Sequence, residues 1–125
     1  ACGSLLRNTS VVLMSTAAAS IGLVNHELIA SSKAGVEGLV VSASKTYARK
    51  NLRFNTVSPG LVDTPLTQSI TSNEISLAAS KKMHSLGRIG TPKNISNMIR
   101  FLLNKENDWI TGQNYTVDGG LSSSK

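Results

Sequence analysis

The run Leu28-Ile-Ala-Ser-Ser-Lys-Ala-Gly-Val-Glu-Gly-Leu39 sets a single cation, Lys33, among small and apolar residues. At 3.6 residues per turn, Ile29, Lys33, Val36, Val40, Ala43 and Tyr47 share one helical face, so the ammonium falls in a seam that packs inward. An amine placed there either snorkels past its apolar neighbours into water or serves a ligand. Gly35 and Gly38 each cost about 1 kcal/mol relative to Ala in a helix, and close packing of this helix against a neighbour is the expected return.

Working outward, Ser10-Val-Val-Leu-Met14 is a short β-branched run of the kind found in a parallel strand buried on both faces, and Ser15-Thr16 close it. Ala17 to Val24 reads as small and flexible. Asn25-His26-Glu27 offers an N-cap and a first-turn acid, so the Lys33 helix is expected to run from there to about Lys50. Leu52 to Ser58 is a second strand, ended by Pro59-Gly60. Strand, helix and strand make a βαβ unit, which predicts a parallel pair. Thr64-Pro65 is a helix start, with an interrupted helix to about Leu86 and a mobile Ser/Thr/Asn stretch from Thr67 to Asn73. Thr91-Pro92 repeats the start signal before a helix to Asn104 whose buried face is Ile95, Met98, Ile99 and Leu102. After a turn at Trp109 to Gly112, Asn114 to Val117 is a last strand, ended by Asp118-Gly119-Gly120. Ala1 to Asn8 reads as the frayed end of a helix, and residues 121–125 as a disordered Ser-rich tail.

Composition excludes several classes. With 40% hydrophobic and 16% charged residues, the 125-residue chain suits one globular domain. The single cysteine, Cys2, excludes an internal disulfide and any Cys-based metal site, so no metal is expected. No run approaches the roughly 18 apolar residues of a spanning helix, and the N-terminus lacks a signal-peptide core, so no membrane partner and a cytoplasmic location are expected. The net charge of +6 raises nucleic acid as a partner. Yet the bases are scattered, only Arg49-Lys50 and Lys81-Lys82 are adjacent pairs, and two Phe and one Trp offer little stacking. No nucleic-acid partner is expected.

Four separated blocks together resemble the short-chain dehydrogenase/reductase family: the strand ending Ser15-Thr16, the Lys33 helix, Asn55-Thr-Val-Ser-Pro-Gly-Leu-Val-Asp-Thr64, and Arg88-Ile-Gly-Thr-Pro92 through Thr111-Gly112 to Val117-Asp-Gly-Gly120. The tail is most similar to those of 3-oxoacyl-carrier-protein reductases and alcohol or sugar dehydrogenases. The resemblance implies an α/β fold, the C-terminal half of a Rossmann-type doubly wound parallel sheet, with residues 1–120 as a partial domain of about three strands and covering helices. It implies hydride transfer between NAD(P)(H) and a small carbonyl or alcohol substrate. The family's catalytic Ser aligns with Thr16, and its Lys, which bonds the nicotinamide ribose and tunes a catalytic Tyr, aligns with Lys33. Pro59 and Gly60 match the turn against the nicotinamide, while the Val62 backbone and the Thr64 hydroxyl match the groups that hold its carboxamide.

Two departures follow. The Tyr of the family's Tyr-x-x-x-Lys pattern is Ile29, and a hydrocarbon cannot protonate the alkoxide that hydride transfer leaves; losing a positioned general acid costs about 10²- to 10⁴-fold in rate. His26, one turn before Ile29, has the right kind of pKa to substitute, although a surface position near a helix start is its plainer role. Tyr47 and Tyr115 are too far along the chain. The second departure is that no Gly-x-x-x-Gly-x-Gly or Gly-x-Gly-x-x-Gly turn occurs, so the pyrophosphate has no glycine-rich cradle. Weak or absent cofactor binding and no turnover by this chain alone are expected. The alternative is a non-catalytic scaffold or one half of a split reductase. Either way Ser10 to Met14 is expected at a sheet edge, to be covered in a homo-oligomer or by a complementing N-terminal half.

Overall fold

The computed structural model describes residues 7–123. It is a three-stranded parallel sheet with helices on both faces. Strand β1 (Ser10–Met14) pairs with β2 (Arg53–Pro59) from Ser10↔Arg53 to Met14↔Val57, and β2 pairs with β3 (Asn114–Val117) from Thr56↔Asn114 to Pro59↔Val117. The order β1-β2-β3 leaves β1 at an edge, as the sequence predicts.

Between β1 and β2 runs α1 (Glu27–Thr46); between β2 and β3 come the short α2 (Gln68–Thr71), α3 (Glu74–Met83) and α4 (Pro92–Leu103). The strand period of two divides β2 cleanly. Val57 packs with Ile95 and Leu102 of α4, and around them gather Val12, Met98, Ile99, Ile110, Tyr115 and Val117. On the opposite face Phe54 meets the Tyr47 ring, with centroids 5.6 Å apart, and Ser58 reaches Glu37 of α1. Beneath α4 the sheet presents Val57 beside Asn55 and Arg53, which donate to the Ile110 and Leu102 carbonyls; beneath α1 it presents the hydroxyls of Thr56 and Ser58 beside the Phe54 ring, and α1 buries Val40.

Helix α4 follows the predicted pattern: Ile95 and Leu102 are buried, and Met98 and Ile99 pack beside them. Its start is well fastened. Asn94 Oδ1 accepts from the Thr91 N–H at 2.9 Å and from its hydroxyl at 3.0 Å, with Pro92 in the first turn, where a missing N–H is harmless. The helix expected from Pro65 to about Leu86 is interrupted between α2 and α3; α2 falls within the stretch Thr67 to Asn73, expected to be mobile, and Asn73 caps α3 by accepting from Ser76 N–H at 2.9 Å.

Helix α1 differs from expectation at both ends. Asn25 takes a left-handed backbone (φ 60°) and His26 occupies the cap position without a side-chain cap, its Nδ1 lying 2.8 Å from the Val24 carbonyl. The α-helix stops at Thr46, and residues Ala48–Lys50 tighten into a 3-10 turn. Asn51 ends it: its φ of 53° breaks the helix, and its side-chain amide donates to Asn8 Oδ1 at 3.0 Å, joining the approaches to β1 and β2. Gly35 and Gly38 face open space, so close packing within the fold is not their role. Residues Ala17–Ala19, expected to be flexible, form a 3-10 turn capped by Thr16, whose Oγ1 accepts from Ala18 N–H at 3.3 Å.

The tail, expected to be disordered from Leu121, forms a turn over residues 121–123, and the N–H and hydroxyl of Ser122 donate to Asp118 Oδ2 at 2.8 and 2.6 Å. The frayed N-terminal helix read over Ala1 to Asn8 lies mostly outside the described residues; Arg7 and Asn8 are not helical.

Candidate active site at the carboxyl ends of the strands

In an open parallel sheet the ligand crevice lies beyond the carboxyl ends of the strands. Here that end gathers Thr16 just after β1, Pro59 and Gly60 at the close of β2, and Lys33 reaching across from α1. Lys33 Nζ donates to the Met14 carbonyl at 2.9 Å, which fixes the ammonium beside the strand that carries Thr16 and leaves two of its hydrogens for other partners. The inward seam predicted for this residue is thus real, but the ammonium at its edge is half-exposed rather than enclosed. Ile29 lies on α1 one turn before Lys33, 43% exposed, and brings no donor to the site.

Pro59-Gly60 is held rigidly. Gly60 N–H donates to Val117 O at 3.2 Å, and a Cβ at Gly60 would lie 2.8 Å from His84 Nε2 and 3.0 Å from the Asp118 backbone. Only a residue without a side chain fits between them. The buried His84 ring lies between two backbone partners: Leu61 N–H donates to Nε2 at 3.3 Å, and Nδ1 lies 2.7 Å from Ser80 O, the side that carries a ring hydrogen. In this way the end of α3 is fastened to the turn that follows β2. Behind it, Leu61, His84, Arg88, Asn94 and Asp118 help line a cleft of about 210 Å³.

Val62 and Thr64 lie on the next loop, stitched to Gly90 by a parallel bridge and by the Asp63 N–H to Gly90 O bond at 3.0 Å. Thr67 organises this loop. Its hydroxyl donates to Val62 O at 2.6 Å and accepts from Thr64 N–H at 3.1 Å. With that hydrogen committed, the 3.2 Å contact between the two threonine hydroxyls takes its hydrogen from Thr64, whose oxygen keeps acceptor capacity.

Sequence reasoning missed the polar groups that brace these residues. Glu37 Oε1 accepts from Ser15 Oγ at 2.6 Å and from Ser58 Oγ at 3.1 Å, while Ser58 and Thr56 both meet the Asn114 amide, at 2.7 and 3.0 Å. The signal available was its spacing four residues after Lys33, one turn along the same side of the helix. For His84 and Asp118 the sequence offered none, since their meeting depends on the segment after α3 returning to the turn after β3, where Leu86 N–H donates to Gly119 O at 3.0 Å. Burial pushes the Asp118 carboxyl up, but the Ser122 hydroxyl and N–H, the Gly120 N–H and neighbouring His84 outweigh it, leaving the pKa below its ordinary value. Among the described residues no group of three or more His, Cys, Asp or Glu could hold a metal ion, and no helix is long and apolar enough to cross a membrane.

Parallel strands with helices on both faces, a Lys anchored to the first strand end and a Pro-Gly turn closing the second define a Rossmann-like α/β protein. The family model described as Enoyl-(Acyl carrier protein) reductase matches residues 2–122, and the chain belongs to the short-chain dehydrogenase/reductase family. It is similar to the 3-oxoacyl-[acyl-carrier-protein] reductase FabG of Thermotoga maritima, 36% identical over 92% of this chain and 46% of the relative. The cyclohexanol dehydrogenase of an Acinetobacter species is 35% identical over 91% of this chain and 43% of the relative. Among solved structures, ElxO with NADP bound superposes with a TM-score of 0.84 at 32% identity, over 92% of this chain and 47% of that one. The chain spans about half the length of the curated relatives it matches.

Proposed function

We propose that this chain carries the nicotinamide and substrate-oxygen half of an NAD(P)-dependent short-chain oxidoreductase site, and that alone it does not turn over. The observation that carries this is the Lys33 ammonium held 2.9 Å from the Met14 carbonyl, beside Thr16 and the Pro59-Gly60 turn. A nicotinamide cofactor, when bound, supplies or accepts the hydride. The Lys33 hydrogens left over from Met14 suit the ribose hydroxyls. The Thr64 oxygen, having given its hydrogen to Thr67, suits a carboxamide NH2; with the Val62 carbonyl taken by Thr67, the Val62 N–H suits the carboxamide oxygen. Thr16 Oγ1, which accepts from Ala18 N–H, still has its hydrogen for a substrate carbonyl or alcohol oxygen. No group at Ile29 can deliver the proton that completes reduction.

The remainder of the dinucleotide fits poorly, because no glycine-rich turn is present to receive the pyrophosphate. Three retained contacts, each worth about 0.5–1.5 kcal/mol and up to about 3 when charged, meet an association cost of about 4 kcal/mol or more. Affinity at best about millimolar follows. The open edge of β1 is the natural place for a complementing N-terminal half or a second copy to add a strand, and a cytoplasmic setting suits a chain whose one cysteine is Cys2.

The test is nuclear magnetic resonance with reduced nicotinamide mononucleotide, together with calorimetry on NADH and NADPH. Millimolar mononucleotide is expected to move the Gly60, Val62 and Thr64 amides, an effect lost in Thr64→Ala, and neither dinucleotide should bind more tightly than about millimolar. No movement at those amides would sink the nicotinamide assignment. Micromolar NADPH affinity abolished by Thr64→Ala would instead overturn the claim that the pyrophosphate site is missing.

A further inference from the structure

The polar face of the sheet converges on one side chain. Glu37 stands one helical turn after Lys33 on α1, and a single oxygen of its carboxylate receives two hydroxyls, from Ser15 just beyond β1 at 2.6 Å and from Ser58 near the end of β2 at 3.1 Å. Both serines are buried, at 6% and 0% exposure, so neither can trade this acceptor for bulk water. Ser58 has one hydroxyl hydrogen and two neighbours, Glu37 and the Asn114 amide. Asn114 Oδ1 accepts from Thr56 at 3.0 Å and lies 2.7 Å from Ser58 Oγ, so the one Ser58 hydrogen is shared between this amide oxygen and the carboxylate, the stronger acceptor.

Each partner adjoins a residue of the candidate site. Ser15 immediately precedes Thr16, and its Oγ also lies 3.4 Å from the Lys33 carbonyl. Ser58 immediately precedes Pro59-Gly60. Met14, which receives the Lys33 ammonium, immediately precedes Ser15. The consecutive residues Met14 and Ser15 are therefore gripped by the two ends of one helical turn, a cation on the carbonyl of the first and a carboxylate on the hydroxyl of the second.

We propose that Glu37 is the positioning residue of this site: its carboxylate ties α1 to the carboxyl ends of β1 and β2, setting where Lys33, Thr16 and the Pro59-Gly60 turn stand relative to one another. It touches neither substrate nor cofactor. The proposal rests on the reading of those residues as one site, but its physical content concerns this chain without any ligand.

The experiment compares Glu37→Ala, Glu37→Gln and a charge-matched control, Glu106→Gln, whose side chain is exposed far from the site. Amide hydrogen exchange is read at Ser15 and Gly60, whose N–H groups donate to Val57 O and Val117 O, and in α4 at Ile99 and Leu102. The Lys33 ¹³Cε signal, assigned through Lys33→Arg, reports the ammonium. Glu37→Ala is expected to speed exchange at Ser15 and Gly60 by about tenfold or more and to shift the Lys33 signal, with α4 changing less than about twofold. Glu37→Gln, whose amide oxygen still accepts both hydroxyls, should return exchange to within about threefold of the parent. Glu106→Gln should change nothing.

A uniform rise that includes α4 would mean a general stabilising role and overturn the proposal, as would an unmoved Lys33 signal or failure of Glu37→Gln to rescue. Should Glu37→Ala not fold, Ser15→Ala and Ser58→Ala carry the same test, each expected to loosen its own strand end and to shift Lys33. Loss of these effects sinks the positioning role while leaving the mononucleotide result untouched, so the two readings fail separately.

Discussion

The two faces of β2 meet their helices differently. Toward α4 the strand presents Val57, fully buried against Ile95 and Leu102, beside Asn55 and Arg53, whose side chains donate to the Ile110 and Leu102 carbonyls, so apolar burial and hydrogen bonds both hold the contact. Toward α1 it presents Thr56 and Ser58, equally buried; Ser58 is tied to Glu37 of α1 by a hydrogen bond, while both residues meet Asn114 of β3 within the sheet. Among the described residues no buried side-chain polar atom lacks a partner, so the polar face is complete rather than defective. An apolar face tolerates small shifts, since dispersion and burial are non-directional; a hydroxyl-carboxylate face fixes angles and distances. The candidate site sits at the end of the sheet where the polar face terminates. A site needing fixed geometry is thus carried by the face whose hydroxyl–carboxylate bonds specify geometry.

Breaking the apolar face should have the largest effect. Leu102→Ala removes a side chain with 0% exposure from the middle of that core and is expected to cost about 2–5 kcal/mol, enough to unfold much of so small a chain. Urea denaturation followed by circular dichroism reads this, and a loss below about 1 kcal/mol would show that the α4 face contributes little to stability.

On the polar face the expected cost is smaller and local. Ser58→Ala leaves Glu37 with one hydroxyl and the Asn114 amide short of a partner, for about 1–2 kcal/mol in the same assay. A cost as large as that of Leu102→Ala would erase the contrast between the faces.

At the end of β3 the contrast can be sharpened with pH. The Asp118 pKa is lowered on folding, so its contribution is present above the unfolded value of about 4 and is lost as pH falls through the folded one. Asp118→Asn would turn an NH2 toward an N–H of Gly120 or Ser122, because both carboxylate oxygens accept. The variant should therefore be less stable than the parent at pH 7, by less than Ser58→Ala, with the gap closing as pH falls below the ordinary carboxylate range. A gap that persists unchanged into acid would mean that Asp118 acts through packing and not through its charge.

The smallest effect is expected at the largest side chain. Trp109 is 96% exposed, and Trp109→Ala should change stability by no more than about 0.5 kcal/mol. A larger loss would reveal that burial by an assembled partner contributes to the measured stability.

Much of the fold was legible in the residues. The β-branched runs at Ser10 to Met14 and Asn114 to Val117 are strands with the expected bounds, and Thr91-Pro92 followed by Ile95, Met98, Ile99 and Leu102 announced α4, because caps and 3.6-residue periodicity are local signals. Helix α1 was found but not its ends, since Asn25 and Asn51 adopt left-handed backbones that the chain dictates only once β1 and β2 are paired beside them. Family motifs named Thr16, Lys33, Pro59, Gly60, Val62 and Thr64, and the family model matches a span, residues 2–122, that includes them all.

What the sequence determined by itself was therefore the order of elements, the apolar face of α4, the cation on α1 and the absence of a phenol at Ile29. Tertiary structure alone decided that Glu37 bridges Ser15 and Ser58, that His84 packs onto Gly60, and that Ser122 closes on Asp118. The physical reason is separation along the chain. Glu37 and Ser58 are 21 residues apart and His84 and Leu61 are 23, so no local propensity or spacing couples them. Only parallel pairing of the strands, with α1 and the segment after α3 folded back across their ends, brings a hydroxyl within reach of a carboxylate and an imidazole within reach of a backbone N–H.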